Sequence, residues 1–179
     1  MIKTVSESEV SLFDVLANKE ARVKRQQGWL KSHSLPLASF SINMPGPVKM
    51  NEAAMHIFNE GIDAVIYACN GHGWRIVTRQ IIHEKTGPEA LFVIEAPSAS
   101  MLKLAMMQVE SSHPLGRLMD LDVLGADGKI VSRQGCQIAR RKCLICEEDA
   151  VVCARSRRHD LPTLLNKINE MTNYGRECN

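Results

Sequence analysis

The 179-residue sequence predicts a single α+β domain, spanning residues 1–179, with a mixed, largely antiparallel sheet flanked by helices. Two observations predict this class. Segments with helical spacing of apolar residues alternate with short β-rich runs, in the order helix, strand, helix, hairpin, helix, hairpin, helix. The hairpins join consecutive strands through glycine-containing turns, as antiparallel strands do. The chain shows no repeat and no linker, so a protein of this length is expected to form one domain.

The first third of the chain is predicted to contain a helix, a strand and a second helix. Apolar residues at helical spacing predict the first helix over residues 9–31, which Gly28 ends or bends. Alternating side chains over residues 37–42 predict a strand that stops at a Pro-Gly-Pro sequence. Asn51 then opens the second helix, which we expect to close at Gly61.

The middle of the chain is predicted to form a hairpin and a third helix. Residues 62–74 fit either a short strand or the tail of a helix, and periodicity does not decide between them. Residues 74–96 contain two β-rich runs around the breaker at 85–88, which predicts a hairpin. Ser98 or Ser100 caps the helix that follows.

The last third is predicted to begin with a second hairpin and to end with a helix. Residues 118–131 read as strand, Gly-Ala-Asp-Gly turn and strand. After Arg140 the pattern loosens into a segment rich in Cys and Arg. Asp160 then caps the last helix, with Pro162 near its first turn.

Charge is distributed unevenly along the chain. Residues 129–158 contain eight Lys or Arg and three Asp or Glu, a local charge of +5, whereas the rest carries −3 within a total of +2. A basic segment indicates either a phosphate-bearing or acidic partner or an ordinary solvated surface, and charge alone favours the surface. Inside it, Arg155, Arg157 and Arg158 could bind phosphates through their guanidinium forks or form an exposed basic turn.

Two aspartates lie one residue apart in a predicted strand. Asp120 and Asp122 share one face, because strand side chains alternate, while Met119, Leu121 and Val123 point to the other. Neighbouring carboxylates repel each other and favour a bound cation, and Mg²⁺ commonly uses one or two carboxylates with substrate phosphates. The acid–hydrophobe–acid pattern after a glycine is similar to that of polymerase-β-type nucleotidyltransferases, although their glycine–serine lead is missing. An exposed strand face beside a turn is the competing interpretation.

A cysteine-rich pattern lies in the basic segment. Its members are Cys143, Cys146, Cys153 and His159, in the spacing C-x2-C-x6-C-x5-H, with Cys136 upstream. Three thiolates and an imidazole could complete a tetrahedral zinc site. Reduced, buried thiols give the same pattern, and from the sequence alone we favour them over zinc. A redox C-x-x-C is not expected, because no thioredoxin-like βαβ unit surrounds it.

The sequence predicts a cytoplasmic protein with no membrane partner. No segment approaches the ~20 apolar residues that span a bilayer, and the first residues lack the pattern of a signal peptide. Six cysteines in a cytoplasmic chain argue against a disulfide framework, because cytosolic thiols stay reduced.

Three ordered motifs carry a resemblance that covers nearly the whole chain. They are HPLGRLMDLD at 113–122, RKCLIC at 141–146 and CARSRRH at 153–159, together with TGPE at 86–89. On these motifs the sequence resembles the apo-citrate lyase phosphoribosyl-dephospho-CoA transferase family, the holo-acyl-carrier-protein synthases of citrate lyase. The corresponding synthase family of malonate decarboxylase also has an acidic pair of this kind.

The resemblance implies a nucleotidyltransferase. It would transfer 2′-(5″-phosphoribosyl)-3′-dephospho-CoA from 2′-(5″-triphosphoribosyl)-3′-dephospho-CoA to a serine of the citrate lyase acyl carrier protein, the γ subunit, and release pyrophosphate. Under this hypothesis Asp120 and Asp122 bind Mg²⁺ and Arg117 contacts the triphosphate. His113 is assigned to positioning or proton transfer. Phosphates of the precursor, or the acidic carrier, would be contacted by Arg155, Arg157 and Arg158.

Two other functions compete with the transferase. A small nucleic-acid-binding module with a Cys/His zinc knuckle would use the arginines on phosphates, but it leaves the acidic pair unexplained and lacks stacking aromatics. We therefore do not expect nucleic acid as a partner. A subunit or assembly factor of citrate lyase without chemistry is the third hypothesis, and it predicts no response to Mg²⁺ or the triphosphate precursor.

Overall fold

The computed structural model describes residues 8–133 and 140–177, the last four by their backbone alone. The helices in this part are α1 (Leu12–His33), α2 (Glu52–Gly71), α3 (Ala99–Ser112), α4 (Ala150–Ser156) and α5 (Leu161–Glu177). The strands are β1 (Leu37–Ile42), β2 (Ile76–Glu84), β3 (Gly87–Ile94) and β4 (Met119–Leu124). The chain divides into two compact units, with the boundary after Val131. No helix among the described residues is long and apolar enough to cross a membrane.

One four-stranded sheet organises the first unit. Its strand order is β2-β3-β1-β4, and all three neighbouring pairs are antiparallel. The α+β class is therefore confirmed, although within the described residues the sheet contains no parallel pair and is not mixed. The predicted hairpin is confirmed as β2 and β3, whose turn leads into Gly87 with a positive φ of 112°. Glycine adopts this conformation without the strain that a side chain would add.

Helices cover the two faces of the sheet. On one face α1 packs against β1 and β3, and Leu30 joins Leu37, Leu91, Val93 and Leu124 in an apolar cluster. On the other face α2 brings the ring of Phe58 onto Phe40, with ring centroids 5.2 Å apart in a stacked geometry. Both rings are almost fully buried. The core thus holds β1 rigidly in the centre of the sheet.

Gly61 does not end its helix, contrary to the sequence prediction, and of the two alternatives predicted for Gly28 the helix end is excluded. α1 continues past Gly28 to His33, and α2 continues past Gly61 to Gly71. A Cβ at Gly61 would overlap the ring of Phe40, so this glycine serves helix–sheet packing rather than termination. The open question over residues 62–74 is accordingly resolved as the tail of a helix up to Gly71.

The outer edge of β4 is closed by two side chains of α3. Lys103 Nζ donates to the carbonyl of Leu121 at 2.8 Å, and the N–H of Leu121 donates to Glu110 Oε1 at 2.8 Å. Both side chains are buried, at 4% exposure each. Unpaired strand edges recruit other chains, and this pair of contacts satisfies the edge at its centre. They also fix the position of β4 relative to α3.

The turn and strand predicted after β4 are only partly confirmed. The turn is present, with the N–H of Gly128 donating to the carbonyl of Gly125 at 2.9 Å. The predicted second strand contributes a single bridge between Leu124 and Ile130. Lys129 is exposed and Ile130 is 67% exposed, so this segment buries little apolar surface that could stabilise a longer strand.

The second unit contains a short hairpin and two helices. A bridge between Lys142 and Asp149 closes the hairpin, and Asp149 then caps α4. This helix was not predicted, because seven residues are too few to show a helical period. The predicted cap of α5 is confirmed, since Asp160 Oδ1 accepts from the N–H of Thr163 at 2.9 Å. Cys136 lies outside the described residues.

Candidate functional site

Asp120 and Asp122 lie on one face of the edge strand β4, as the alternation predicts. Their neighbours Met119, Leu121 and Val123 are completely buried, whereas Asp120 is partly buried and Asp122 is exposed. The apolar side chains anchor the strand and leave the carboxylates on the face that α1 partly covers. The prediction that both carboxylates lie on one face of the strand and the apolar side chains on the other is therefore confirmed.

The carboxylate of Asp122 has a cationic neighbour from α3. Its Oδ1 lies 3.8 Å from Lys103 Nζ, the same ammonium that donates to the carbonyl of Leu121. The lysine side chain is 5% exposed and that of Asp122 is 51% exposed. A buried positive charge thus lies behind the exposed acid, where it offsets part of the repulsion between the two aspartates.

A third carboxylate, Glu89, lies on the same face in β3. Ser41 pairs with Asp120 on one side and with Glu89 on the other, which places the two acids two strands apart, about 10 Å between Cα atoms. Glu89 accepts from Arg22 at 2.5 Å and from Arg25 at 2.9 Å. Its side chain is only 5% exposed. These contacts engage both carboxylate oxygens of Glu89 with the arginines of α1.

The two arginines of α1 are the site residues that the sequence interpretation missed. Arg22 and Arg25 both pair with the carboxylate of Glu89, and these three side chains together carry a net charge of +1 on the sheet face that also bears Asp120 and Asp122. Their Nε atoms are buried, and no hydrogen-bond partner is found for them in the described part of the chain. Asn18, which also donates to Glu89, lies four residues before Arg22. This i, i+4, i+7 spacing of polar residues on one helix face is a signal that was available in the sequence.

His113 and Arg117 lie in the connection from α3 to β4. His113 Nδ1 accepts from the N–H of Leu115 at 3.1 Å, and its Nε2 lies 3.7 Å from Glu60 Oε2. Burial lowers the pKa of His113, and Glu60 opposes this shift. Arg117 follows Gly116, which passes so close to the carbonyl of Glu110 that a Cβ would overlap it. These contacts indicate that His113 shapes the turn that delivers Arg117 and β4.

The donor set on β4 fits a magnesium ion. It offers two carboxylates on one face, one of them exposed, and Mg²⁺ commonly takes one or two carboxylates and completes its shell with water and substrate phosphates. Among the described residues no cluster of three or more His, Cys, Asp or Glu surrounds β4. A dedicated protein cage is therefore not built here, which suits an ion that arrives with a phosphorylated substrate.

The cysteine-rich pattern converges in the second unit. The donor atoms of Cys143, Cys146, Cys153 and His159 all lie within 4.8 Å of one another, and we call this group the Cys/His cluster. The three predicted phosphate-binding residues of this unit, Arg155, Arg157 and Arg158, are exposed and lie between its last two members. They share no unit with Asp120 and Asp122.

Comparison with known proteins identifies the relatives of this chain. The family model described as apo-citrate lyase phosphoribosyl-dephospho-CoA transferase matches residues 10–174. A Vibrio cholerae O1 (strain M66-2) protein named as a probable apo-citrate lyase phosphoribosyl-dephospho-CoA transferase is 60% identical over 163 residues, which cover 91% of this chain and 92% of that protein. An Escherichia coli O1:K1 / APEC protein with the same transferase name is 41% identical over 174 residues, covering 97% and 94%.

Proposed function

Because the chain belongs to the apo-citrate lyase phosphoribosyl-dephospho-CoA transferase family, we propose that it attaches the prosthetic group of citrate lyase to the acyl carrier protein. The donor is 2′-(5″-triphosphoribosyl)-3′-dephospho-CoA. A serine hydroxyl of the apo-carrier attacks the phosphorus next to the ribose, pyrophosphate leaves, and a phosphodiester links the group to the carrier. The chain is thus a transferase.

The observation that carries this proposal is the acid pair on β4, which shares a sheet face with the Arg22 and Arg25 pairs of Glu89. Asp120 and Asp122 hold Mg²⁺ together with the triphosphate, and a bound Mg²⁺ supplies charge neutralisation of the phosphates during transfer. Lys103 keeps β4 in place and limits the repulsion between the acids. Arg117 contacts the triphosphate from the turn before the strand, and His113 positions that turn.

Arg22 and Arg25 extend the phosphate site across the sheet. Their guanidinium side chains are about a quarter exposed, at 26% and 24%, and two positive charges against the single carboxylate of Glu89 suit an anionic ligand. The separation of about 10 Å between the Cα atoms of Glu89 and Asp120 is within the reach of a triphosphate and long arginine side chains. We assign these arginines to the pyrophosphate end of the donor.

The three arginines of the second unit, at the end of α4 and in the turn after it, are assigned separately. Arg155, Arg157 and Arg158 are exposed and contact phosphates of the donor or acidic groups of the carrier. The family match runs across the boundary at Val131 without interruption, which supports one transferase domain over residues 1–179. The Cys/His cluster lies inside the same match, so it does not favour a nucleic-acid-binding module.

The test is a labelling reaction followed by mass spectrometry. The protein is incubated with apo-carrier, the triphosphate precursor and Mg²⁺, and the carrier should gain the mass of one phosphoribosyl-dephospho-CoA group. Asp120→Asn and Asp122→Asn should each slow labelling at least about 100-fold, because the metal supplies several kcal/mol of charge stabilisation.

A matched control comes from the turn after β4. Asp127 is an exposed acid that bonds to Lys129, and Asp127→Asn should label at the parent rate. An Asp120 or Asp122 variant that is folded and labels the carrier at the parent rate would contradict the metal assignment. An unlabelled carrier with folded parent protein would contradict the transfer itself.

A further inference from the structure

We propose that the second unit holds a structural zinc ion. Its ligands are the four members of the Cys/His cluster, Cys143, Cys146, Cys153 and His159. The ion cross-links the hairpin, α4 and the turn after α4, where His159 lies. This site is separate from the proposed magnesium site and takes no part in phosphoryl transfer.

The spacing of the donor atoms fits a tetrahedral ion. Cys146 Sγ lies 3.5 Å from Cys153 Sγ and 3.3 Å from His159 Nε2. Zinc–sulfur bonds of about 2.3 Å place neighbouring donors of a tetrahedron about 3.8 Å apart. A disulfide would need sulfurs about 2.05 Å apart. All three cluster cysteines are free thiols, so the geometry favours an ion between them over a covalent bond.

The hairpin presents its first sulfur as zinc-binding turns do. The N–H of Cys143 donates to the carbonyl of Glu148 at 2.7 Å, which closes the turn around Cys143 and Cys146. The N–H of Ile145 points at Cys143 Sγ, 3.4 Å away. Such N–H···S contacts favour the thiolate, which is the form that binds a metal.

The fold of α4 brings the other two ligands together. Arg157 adopts a left-handed conformation with φ of 49°, and the N–H of Arg158 donates to the carbonyl of Cys153 at 3.1 Å. This reversal returns His159 to the side of Cys146. A left-handed arginine costs about 1 kcal/mol and persists where the surroundings determine it. Zinc ligation by Cys153 and His159 on either side of the turn supplies that constraint.

The second unit needs a constraint of this kind because its apolar core is small. The buried residues among its described positions are Cys153, Ile168 and Thr172. A core this small supplies little folding free energy, and a structural metal commonly supplies the missing part. One of the three buried residues is itself a ligand.

The zinc content of the full-length protein tests the proposal directly. Protein purified without chelators should contain about one zinc per chain by elemental analysis. Cys143→Ser and His159→Gln should each lower the zinc content at least tenfold. Cys69→Ala removes a buried cysteine of α2 outside the cluster and should retain the metal. A parent protein that is folded, contains no zinc and reacts with a thiol reagent at all cluster cysteines would overturn the proposal.

A cobalt titration of the parent protein keeps the test independent of how the variants fold. After chelation, added Co²⁺ should give the visible absorption of tetrahedral cobalt–thiolate and saturate at one equivalent, and added Zn²⁺ should displace it. Absence of that absorption would overturn the proposal. So would a chain lighter by two hydrogen atoms, which would indicate a disulfide between cluster cysteines in place of the ion.

Discussion

The strand that carries Asp120 and Asp122 and the Cys/His cluster are held in place by different forces. β4 is anchored by fully buried apolar side chains and by buried hydrogen bonds from α3. The cluster lies in a unit whose described part buries three residues, so its geometry depends on polar side chains that converge. A strand that is held by a buried apolar core keeps its position when one of its polar side chains is removed. We expect the Cys/His cluster to lose its geometry when one of its four side chains is removed.

The largest expected difference between the two regions is in their amide hydrogen exchange after metal removal. Chelation should raise amide hydrogen exchange in residues 143–159 at least about 100-fold, because structural zinc contributes most of the folding free energy of small sites. Exchange in β1 and β3 should stay as it was. Hydrogen exchange with mass spectrometry measures both in one experiment. Equal effects in the two regions, or none in either, would contradict the distinction.

Loss of Glu89, in β3, tests the stability of the sheet that holds β4, because this buried carboxylate pairs with two arginines of α1. Glu89→Gln should lower the free energy of unfolding by about 3 kcal/mol, because it leaves two guanidinium groups without a counter-charge. Glu95 pairs with Arg75 on the exposed surface, and Glu95→Gln is the matched control, expected to change stability little. Urea unfolding followed by circular dichroism compares them. The zinc content should be the same in both variants, and equal midpoints would contradict the structural role of Glu89.

The next prediction concerns packing at Gly61, where the expected change in the free energy of unfolding is smaller. Gly61→Ala should destabilise the first unit by about 2 kcal/mol, since the overlap with Phe40 exceeds the gain in helix propensity. In α1, nothing lies within 4 Å of a Cβ at Gly28, so Gly28→Ala should stabilise by about 0.5–1 kcal/mol. Thermal unfolding of the two variants should shift in opposite directions. Shifts of the same sign would refute the packing account of Gly61.

The smallest effect concerns the start of α1. The ion pair with Lys85 and the hydrogen bonds of Ser11 lower the pKa of Asp14 from 3.8 to about 2. A group whose pKa is lower in the folded state stabilises the fold above its unfolded pKa, and this contribution is lost as the pH falls from about 4 to 2. Asp14→Asn should therefore make stability less dependent on pH in that window. Urea midpoints at several pH values measure the slope, and an unchanged slope would contradict the prediction.

Sequence patterns predicted what depends on local chemistry. The β2–β3 hairpin follows from its turn residues, and the shared face of Asp120 and Asp122 follows from the period of two. The spacing of the cysteines picked out the four residues that converge in the Cys/His cluster, and the choice between buried thiols and zinc awaits the metal analysis. The site assignments themselves stay predictions until the variants are measured.

Contacts between distant residues lie beyond such patterns. Glu89 is 67 residues from Arg22, so nothing local indicated that its carboxylate was already paired. The sequence predicts a helix end at Gly61, because the low helix propensity of glycine can be read from the sequence and the packing of Gly61 against Phe40 cannot. The reversal at Arg157 was missed for a similar reason, since arginine rarely adopts a left-handed conformation.

The closure of β4 by α3 has a consequence for how the protein is made. An open strand edge is a site at which nascent chains aggregate. Lys103 and Glu110 precede Leu121 in the chain, so the helix that covers the edge leaves the ribosome before the strand that needs it. The centre of the strand is therefore covered by a segment made earlier, although residues 130 and 131 cover its end later, and variants of Lys103 or Glu110 should reduce soluble yield during synthesis.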